Sequence, residues 1–248
     1  MFLVKLNEPR VLNATVSVLS DFITEASFSF QKEGIKLHAL DPANISMVVL
    51  SLLPSAFNEY KVEQPCEITV NLEALKQALK RAKPTDPISL SLDKNKLKIS
   101  ITGKSMKNFY IPLIEREAKE RKMPALDFLA TIELDSAEFR DYIEDASIAG
   151  DTVVFEADKN SFIITSGELG SKVSIQLTKG ADPLLQIAAG ENVRSTYSLD
   201  YLKKMARAST LAESVVIQFA KDYPLRLDFR SLNKAQMTFI LAPRIENK

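Results

Sequence analysis

The chain has 248 residues, of which 46% are hydrophobic and 26% are charged, so it is long enough for one large globular domain or two small ones. Lysine plus arginine and aspartate plus glutamate both number 32, which excludes a strongly basic protein but leaves room for a local basic patch. The single cysteine, Cys66, and the single histidine, His38, exclude an internal disulfide and a zinc site built from these residue types.

The same composition bounds the compartment in which we expect the protein. A chain with one cysteine is typical of reducing surroundings, so we expect the cytoplasm, or the nucleus if the source is eukaryotic. The longest apolar stretch, residues 45–53, is interrupted by serines and stops at Pro54, so we expect no membrane-spanning helix. No basic region precedes a long apolar one near Met1, so we expect no signal peptide.

The first half of the chain predicts two helices among several strands. Apolar residues spaced near 3.6 begin at Val11 and predict a first helix. Asn71 is a plausible N-cap for a second helix with a leucine stripe. Alternating apolar residues predict strands around these helices, with a hairpin turn at residues 93–96. The alternating segments are 28–30, 35–39, 48–53, 88–92 and 97–101.

Two segments have the pattern of edge strands. Residues 106–113 alternate apolar side chains on one face, and Pro112 cannot donate a hydrogen bond to a neighbouring strand. Residues 171–178 alternate in the same way and form a second candidate edge.

A polar segment separates the two halves. Residues 115–122 carry almost no apolar side chains and lead to Met123 and Pro124, which is typical of a solvated linker. We therefore predict a first domain over residues 1–114, a connector over 115–126 and a second domain over 127–248.

The second half repeats the pattern of the first at a constant shift in numbering. Leu72 falls on Leu199, and Phe28 falls on Phe155 at the same shift. The repeat predicts a helix around Phe139, a second helix capped by Ser198, and two strands around a turn at residues 221–223. The fold class is therefore α+β, with many antiparallel strands and two short helices in each half.

Motifs for catalysis and nucleotide binding are missing. The sequence contains no G-x-x-x-x-G-K loop, no G-x-G-x-x-G and no G-x-S-x-G elbow. His38 lies opposite the core-facing positions of its predicted strand, which favours a surface role over catalysis. Most carboxylates fall in charge-rich runs where nothing would raise a pKa. We therefore expect no enzymatic activity, no metal and no cofactor.

Exposed cations are predicted on the second helix of each half. Long cations on an otherwise unused helix face can neutralise phosphates without reading base sequence. The alternative, which the pattern by itself favours, is the ordinary charged solvent face of a helix. The cations are Lys76, Lys80, Arg81 and Lys83 in the first half, and Lys203, Lys204 and Arg207 in the second.

Several segments resemble the DNA sliding clamps of the proliferating cell nuclear antigen (PCNA) type. Residues 166–170 resemble the S-G-E-L-G turn of the clamps, and residues 241–246 resemble their C-terminal L-A-P-[KR]-[IV]-E. Segments 40–46, 71–72 and 222–225 also fit by order and spacing. The resemblance covers residues 2–246, and the short loops are similar to those of archaeal members.

The resemblance implies two similar domains of antiparallel sheets, each with two helices, and three chains joined head to tail in a pseudo-sixfold ring. The helices would line a hole around duplex DNA, so the ring could slide without base readout or catalysis. It would act as a processivity factor in DNA replication and repair, in the archaeal cytoplasm at the nucleoid. The expected partners are a clamp loader, DNA polymerase, flap endonuclease and DNA ligase, which insert a short motif with an aromatic plug, the PIP box.

Three groups of site residues follow from the resemblance. The DNA-binding group comprises Arg10, Lys76, Lys80, Arg81, Lys83, Lys203, Lys204 and Arg207. The partner-binding group comprises Leu40, Met47, Met123, Pro124, Pro224, Ile240, Leu241, Ala242 and Pro243. The subunit interface comprises Lys107, Phe109 and Ile111 on one edge, and Lys172, Val173, Ile175 and Leu177 on the other.

The sequence departs from the family in its first helices, which are poor in cations. The first helix carries only Arg10, and its counterpart exposes Asp141, Glu144 and Asp145. The chain is therefore either a homotrimer with few DNA contacts or one subunit of a heterotrimeric clamp. Other hypotheses are a checkpoint-type ring, a small-molecule enzyme on a duplicated scaffold, and a scaffold that never touches DNA.

Overall fold

A computed structural model describes residues 2–7, 9–115, 125–167, 170–190 and 192–245. The chain divides into two compact units. Unit 1 comprises Met1–Pro42, Val48–Met123 and Ser231–Gln236, and unit 2 comprises Ala43–Met47, Pro124–Arg230 and Met237–Lys248. The predicted connector lies largely outside the described residues, so the predicted domain boundaries stay a prediction.

The first half of the chain forms strands around two helices, as predicted. The helices are α1 (Arg10–Leu19) and α2 (Leu72–Leu79). The strands are β1 (Phe2–Leu6), β2 (Glu25–Gln31), β3 (Gly34–Leu40), β4 (Ser46–Leu52), β5 (Glu59–Val62), β6 (Cys66–Asn71), β7 (Ile88–Asp93), β8 (Lys96–Thr102) and β9 (Met106–Pro112). A short 3-10 turn, Pro54–Ala56, follows β4.

The second half forms the same elements in the same order. The helices are α3 (Ser136–Ala146) and α4 (Leu199–Ala206), and a 3-10 turn, Arg207–Leu211, follows α4. The strands are β10 (Ala130–Asp135), β11 (Thr152–Ala157), β12 (Ser161–Ser166), β13 (Val173–Thr178), β14 (Leu184–Ala189), β15 (Val193–Ser198), β16 (Ser214–Phe219), β17 (Leu225–Ser231) and β18 (Ala235–Leu241).

The predicted internal repeat is confirmed. Helices α2 and α4 begin at Leu72 and Leu199, and β6 and β15 begin at Cys66 and Val193 with the same shift in numbering. The last two strands of the second half, β17 and β18, are numbered slightly higher than this constant shift predicts. The reason is that the connection between β16 and β17, residues 220–224, is longer than the connection between β7 and β8, which is Lys94 and Asn95. In this way β4 corresponds to β13, and β9 corresponds to β18.

Unit 1 packs its helix pair on sheets. One sheet has the strand order β5-β1-β7-β8-β9, and four further strands are hydrogen-bonded in the order β4-β3-β2-β6. Leucines on α1 and α2, among them Leu19 and Leu72, are fully buried. Burial of a leucine side chain stabilises a fold by about 1.5–3 kcal/mol. These stripes therefore hold two helices that are too short to be stable alone.

Unit 2 has the same arrangement. Its strands are hydrogen-bonded in the orders β14-β10-β16-β17-β18 and β13-β12-β11-β15. The buried aromatic core includes Phe139 of α3 and Phe229 of β17, whose ring centroids lie 6.5 Å apart. Because side chains alternate along a strand, this contact fixes one face of β17 toward the helices; we call the opposite face the outer face.

The two predicted edge strands lie at sheet edges among the described residues. Strand β9 ends the order of its five-stranded sheet, and β13 ends the order of its four-stranded sheet. The strands that correspond to them in the repeat, β18 for β9 and β4 for β13, have backbone hydrogen bonds at their ends. In unit 2 the amide of Ala242, just after β18, donates to the carbonyl of Ile45, just before β4 (3.0 Å). In unit 1 the amide of Leu53, just after β4, donates to the carbonyl of Lys234, just before β18 (2.9 Å).

Both predicted capping residues occupy N-cap positions, but only one of them makes a capping hydrogen bond. The Asn71 side chain accepts a hydrogen bond from the amide of Ala74 (2.9 Å) and caps α2. Ser198 occupies the N-cap position of α4, as predicted, but its hydroxyl makes no capping hydrogen bond. Asp135, which the sequence did not single out, caps α3 by accepting from the amides of Ala137 and Glu138.

These caps predict a ranking of stability losses. We expect Asn71→Ala and Asp135→Ala each to lower the free energy of unfolding by about 1 kcal/mol, because each substitution leaves an amide of the first helical turn unpaired. Ser198→Ala serves as the matched control and is expected to cost less, since it removes no cap bond. Urea unfolding at fixed protein concentration measures the three losses, and an equal loss at Ser198 contradicts the ranking.

Candidate nucleic-acid interface and partner surface

One cation of α2 is held by the residue that ends α1. Lys76 of α2 donates from Nζ to Oγ of Ser20 at the end of α1 (2.8 Å). Ser20 Oγ in turn donates to the carbonyl of Ser17 (2.7 Å). The Lys76 side chain is only half-exposed, so its ammonium group is positioned rather than fully mobile in solvent.

Three further cations lie at and beyond the end of α2. Lys80 is the C-cap residue, and Lys80, Arg81 and Lys83 are all exposed. The prediction that Arg81 and Lys83 lie on the helix itself is wrong. The amide of Arg81 bonds to the carbonyl of Ala78 in a tight closing turn, and Pro84 disfavours continuation of a helix at the residue before it.

Cations end α4 as well. Lys203 and Lys204 occupy the last turn and Arg207 is the C-cap residue, where positive charge is favoured by the helix dipole. All three are exposed, and Lys204 Nζ lies 5.6 Å from the ring centroid of Tyr201. Asp200 occupies the first turn, where the same dipole favours an acid.

The first helices remain poor in cations in the structure. Arg10 is exposed at the start of α1. On α3, Asp141, Glu144 and Asp145 are exposed, and Arg140 is paired with Asp141 at 2.9 Å.

One titratable group on α3 is shifted. Burial, together with a hydrogen bond to the Glu138 side chain, raises the pKa of Tyr142 to about 12. The Tyr142 phenol is therefore neutral at physiological pH and adds no charge to this helix.

The predicted partner-binding residues differ in their exposure. Ala242 is exposed, and Met47, Pro224 and Pro243 of unit 2 are half-buried. Ile240 is 8% exposed and Leu241 is fully buried, so the Leu241 side chain packs in the core instead of facing a partner. Leu40 of unit 1 is half-buried, and Met123 and Pro124 lie outside the described residues.

An apolar residue that the sequence did not single out lies beside this group. Ile45 is 41% exposed and accepts the backbone hydrogen bond from Ala242. We call Ile45, Met47, Ile240 and Ala242 the apolar surface of unit 2. Its C-terminal flank is anchored, since the amide of Arg244 donates to the carbonyl of Thr196 (2.7 Å).

A buried tyrosine supports the loop before β17. Tyr197 is fully buried, and its hydroxyl donates to the carbonyl of Tyr223 (2.9 Å). Burial raises the pKa of Tyr197, so this phenol stays protonated and keeps its donor. The bond positions Pro224, the next residue, immediately before β17.

The two edge strands combine apolar and charged side chains. Phe109 on β9 and Val173 and Ile175 on β13 are half-buried, whereas Ile111 and Leu177 are buried. Lys107 and Lys172 are exposed. Helix α2, whose C-cap residue is the exposed Lys80, contacts β9, and helix α3, which carries the exposed acids, contacts β13.

Family comparisons assign both halves of the chain. The model of the PCNA N-terminal domain matches residues 1–119, and the model of the PCNA C-terminal domain matches residues 122–244. The chain belongs to the proliferating cell nuclear antigen family.

Relatives of this PCNA-family chain match it over nearly its whole length. A protein of Nanoarchaeum equitans named DNA polymerase sliding clamp is 39% identical over 241 residues, which cover 96% of this chain and 97% of that protein. DNA polymerase sliding clamp 1 of Thermococcus kodakarensis is 34% identical over 232 residues and covers 93% of each. The resemblance to sliding clamps that the sequence motifs carried is therefore confirmed.

Solved structures of PCNA proteins have the same fold. The PCNA of Thermococcus kodakaraensis has a TM-score of 0.92 at 26% identity and covers 98% of this chain and 100% of that one. A chain of the PCNA2–PCNA3 complex of Sulfolobus tokodaii has a TM-score of 0.91 at 25% identity, with the same coverage. The predicted fold of two PCNA domains with antiparallel sheets and helices is confirmed.

The described part of this PCNA-family chain holds no candidate metal cluster. Among those residues, no group of three or more His, Cys, Asp or Glu side chains could hold a metal ion. His38 is exposed on β3, on the side opposite the core, as its alternation predicted. No helix among the described residues has the length and apolar character needed to cross a membrane.

Proposed function

We propose that this chain is a sliding clamp that closes into a three-subunit ring around duplex DNA and tethers replication and repair enzymes to it. The observation that carries the proposal is family membership over both halves of the chain, joined to the two edge strands β9 and β13. The function needs no catalysis, since topology alone keeps a closed ring on DNA.

The repeat indicates which edges meet between subunits. Residues just outside β4 and β18 are joined by backbone hydrogen bonds, from Ala242 to Ile45 in unit 2 and from Leu53 to Lys234 in unit 1. In the repeat, β4 corresponds to β13, and β18 corresponds to β9. We infer that β9 of one copy adds to β13 of the next in the same manner. Such a contact is heterologous, and it generates a ring when the rotation closes. Pairing also covers two sheet edges that would otherwise promote aggregation.

Charge supports the same pairing. Strand β9 contacts helix α2, whose C-cap residue is the exposed Lys80, whereas strand β13 contacts helix α3, which carries the exposed acids Asp141 and Asp145. Opposite charges on two surfaces favour their encounter and set their register. The acids of α3 are out of place on a surface that binds phosphate, and an interface role accounts for them.

The DNA-binding role is proposed for the cations of the helix pairs. Lys76, Lys80, Lys203, Lys204 and Arg207 are the charges best placed for it, because they lie on or at the ends of α2 and α4. Contacts to phosphates position a protein without reading sequence, and a sliding ring needs contacts weak enough to break. Arg10 adds one cation at the start of α1.

The partner-binding role is proposed for the apolar surface of unit 2. An apolar anchor with charged residues around it suits a short peptide that inserts an aromatic plug. The partner classes are a clamp loader, DNA polymerase, flap endonuclease and DNA ligase. The clamp acts where the chromosome lies, which is the cytoplasm of an archaeal cell.

Light scattering of the purified chain across a concentration series tests the assembly. We expect a stable species with three times the mass of the 27.6 kDa chain. A chain that stays monomeric or dimeric at high concentration contradicts a self-sufficient homotrimer and favours a heteromeric ring. The structural match to a chain of a PCNA2–PCNA3 complex from Sulfolobus tokodaii favours the heteromeric ring as the second candidate.

A further inference from the structure

A buried carboxylate with two arginines lies on the outer face of β17. Asp228 is 1% exposed, and its Oδ1 accepts a hydrogen bond from Thr238 Oγ1 of β18 (2.5 Å). Its Oδ2 lies 2.9 Å from Arg226 Nε and 3.5 Å from a terminal guanidinium nitrogen of Arg230. The Arg226 side chain is 25% exposed and that of Arg230 is 59% exposed. We call these three residues of β17 the Arg–Asp–Arg cluster.

The cluster adjoins the apolar surface of unit 2. Phe229 faces the helices, so its neighbours Asp228 and Arg230 face outward, as does Arg226 two residues earlier. Strands β17 and β18 are neighbours joined by a three-residue turn and are therefore antiparallel. Since Asp228 is bonded to Thr238, the two side chains share the outer face, and alternation along β17 and β18 places Arg226 on the same face as Ile240, a member of the apolar surface.

The internal repeat shows that the fold does not require this carboxylate. Val215 pairs with Phe229 as Ile88 pairs with Ile101, so Asp228 corresponds to Ser100. Ser100 bonds to Asn108 (2.7 Å), and no charge is buried there. Burial of a charged group costs free energy unless its partners compensate. A carboxylate placed only in the second repeat therefore points to a task specific to unit 2.

The charges of the cluster define the group that it can bind. One carboxylate opposes two guanidinium groups, which leaves a net positive charge, and arginine forks bind carboxylates in paired hydrogen bonds. We propose that Asp228 positions Arg226 and Arg230 to bind an acidic side chain of a partner peptide that docks on the apolar surface of unit 2. This inference rests on the proposed function. The cluster thereby selects partners with an acid beside the aromatic plug.

Peptide titration of the full chain tests the proposal. The probes are matched synthetic peptides with a helical turn and an aromatic plug, which carry either glutamate or glutamine at each position next to the plug. We expect the best glutamate peptide to bind about two- to fivefold more tightly than its glutamine partner, as an exposed ion pair allows. The preference should shrink at high salt because of screening.

Variants separate the cluster from the surface. Arg230→Gln is expected to abolish the glutamate preference, whereas Arg194→Gln, which alters another exposed arginine paired with an acid (Glu156, 3.2 Å), is expected to retain it. Asp228→Asn should reduce the preference even where thermal unfolding shows an intact fold, since the arginines lose their positioning partner. Met47→Ala should weaken both peptides alike.

Each contrary result has its own meaning. Equal affinity of the wild-type chain for glutamate and glutamine peptides overturns the role of the cluster and leaves the apolar surface standing. An unchanged preference in Arg230→Gln does the same. Failure of all peptides to bind, or full binding by Met47→Ala, overturns the proposed surface and the inference with it.

Discussion

Replacement of Ile175 by glutamate is expected to convert the proposed trimer into monomers. Ile175 is half-buried on β13, and pairing with β9 of a second copy would complete its burial. An uncompensated charge in such a contact costs several kcal/mol, which weakens association by more than about 100-fold. Light scattering should show the mass fall from that of three chains toward the 27.6 kDa of one.

Leu232→Glu is the matched control for this substitution. Leu232 is 87% exposed in the turn between β17 and β18, so the same chemical change there should leave the mass unaltered. Thermal unfolding of both variants distinguishes dissociation from loss of fold. A trimer that persists in a folded Ile175→Glu variant would rule out β13 as the subunit interface.

Removal of four helix-pair cations is expected to weaken DNA binding strongly. The variant carries alanine at Lys76, Lys80, Lys203 and Arg207. Each lost phosphate contact reduces the slope of log K against log salt by about 0.9 for duplex DNA, and a trimer repeats the loss three times. We expect shorter retention on circular DNA and a flatter salt dependence, with ring assembly unchanged in light scattering.

A second quadruple variant controls for net charge. Lys32, Lys36, Lys159 and Lys221 are exposed and lie outside the four helices, two in each unit. Their replacement by alanine removes the same amount of positive charge. Retention on DNA should therefore stay near the wild-type value if the position of the cations matters more than the net charge of the chain. If the two variants lose DNA equally, the helix pairs are not the binding surface.

Much of the fold was open to prediction because its signals are local. The spacing of apolar residues predicts the four helices, and the alternation in residues 106–113 and 171–178 predicts the two edge strands β9 and β13. The constant shift that places Leu72 on Leu199 predicts the duplication. These patterns succeed because a helix or strand that buries one face must repeat its apolar residues with its own period.

The sites were less accessible to this reasoning. Arg81 and Lys83 were assigned to α2, but the helix ends before them. The end of a short helix depends on its closing turn and on a nearby proline, here Pro84, and the spacing of apolar residues does not reveal it. Asn71 makes a capping hydrogen bond, whereas Ser198, at the same position of its own helix, makes none, although both are good capping residues. The sequence pattern carried no signal for Ile45 as part of the apolar surface.

By itself, the sequence determined the fold class, the duplication, the absence of nucleotide-binding motifs and, through its clamp motifs, the family. Only the tertiary structure decided which side chains remain accessible. It buries Leu241 in the core, ties Lys76 to Ser20 of another helix, and encloses Asp228 between two arginines and Thr238. The reason is physical: periodicity records how a segment meets its core, whereas accessibility on the remaining face depends on strands and helices that are distant in the chain.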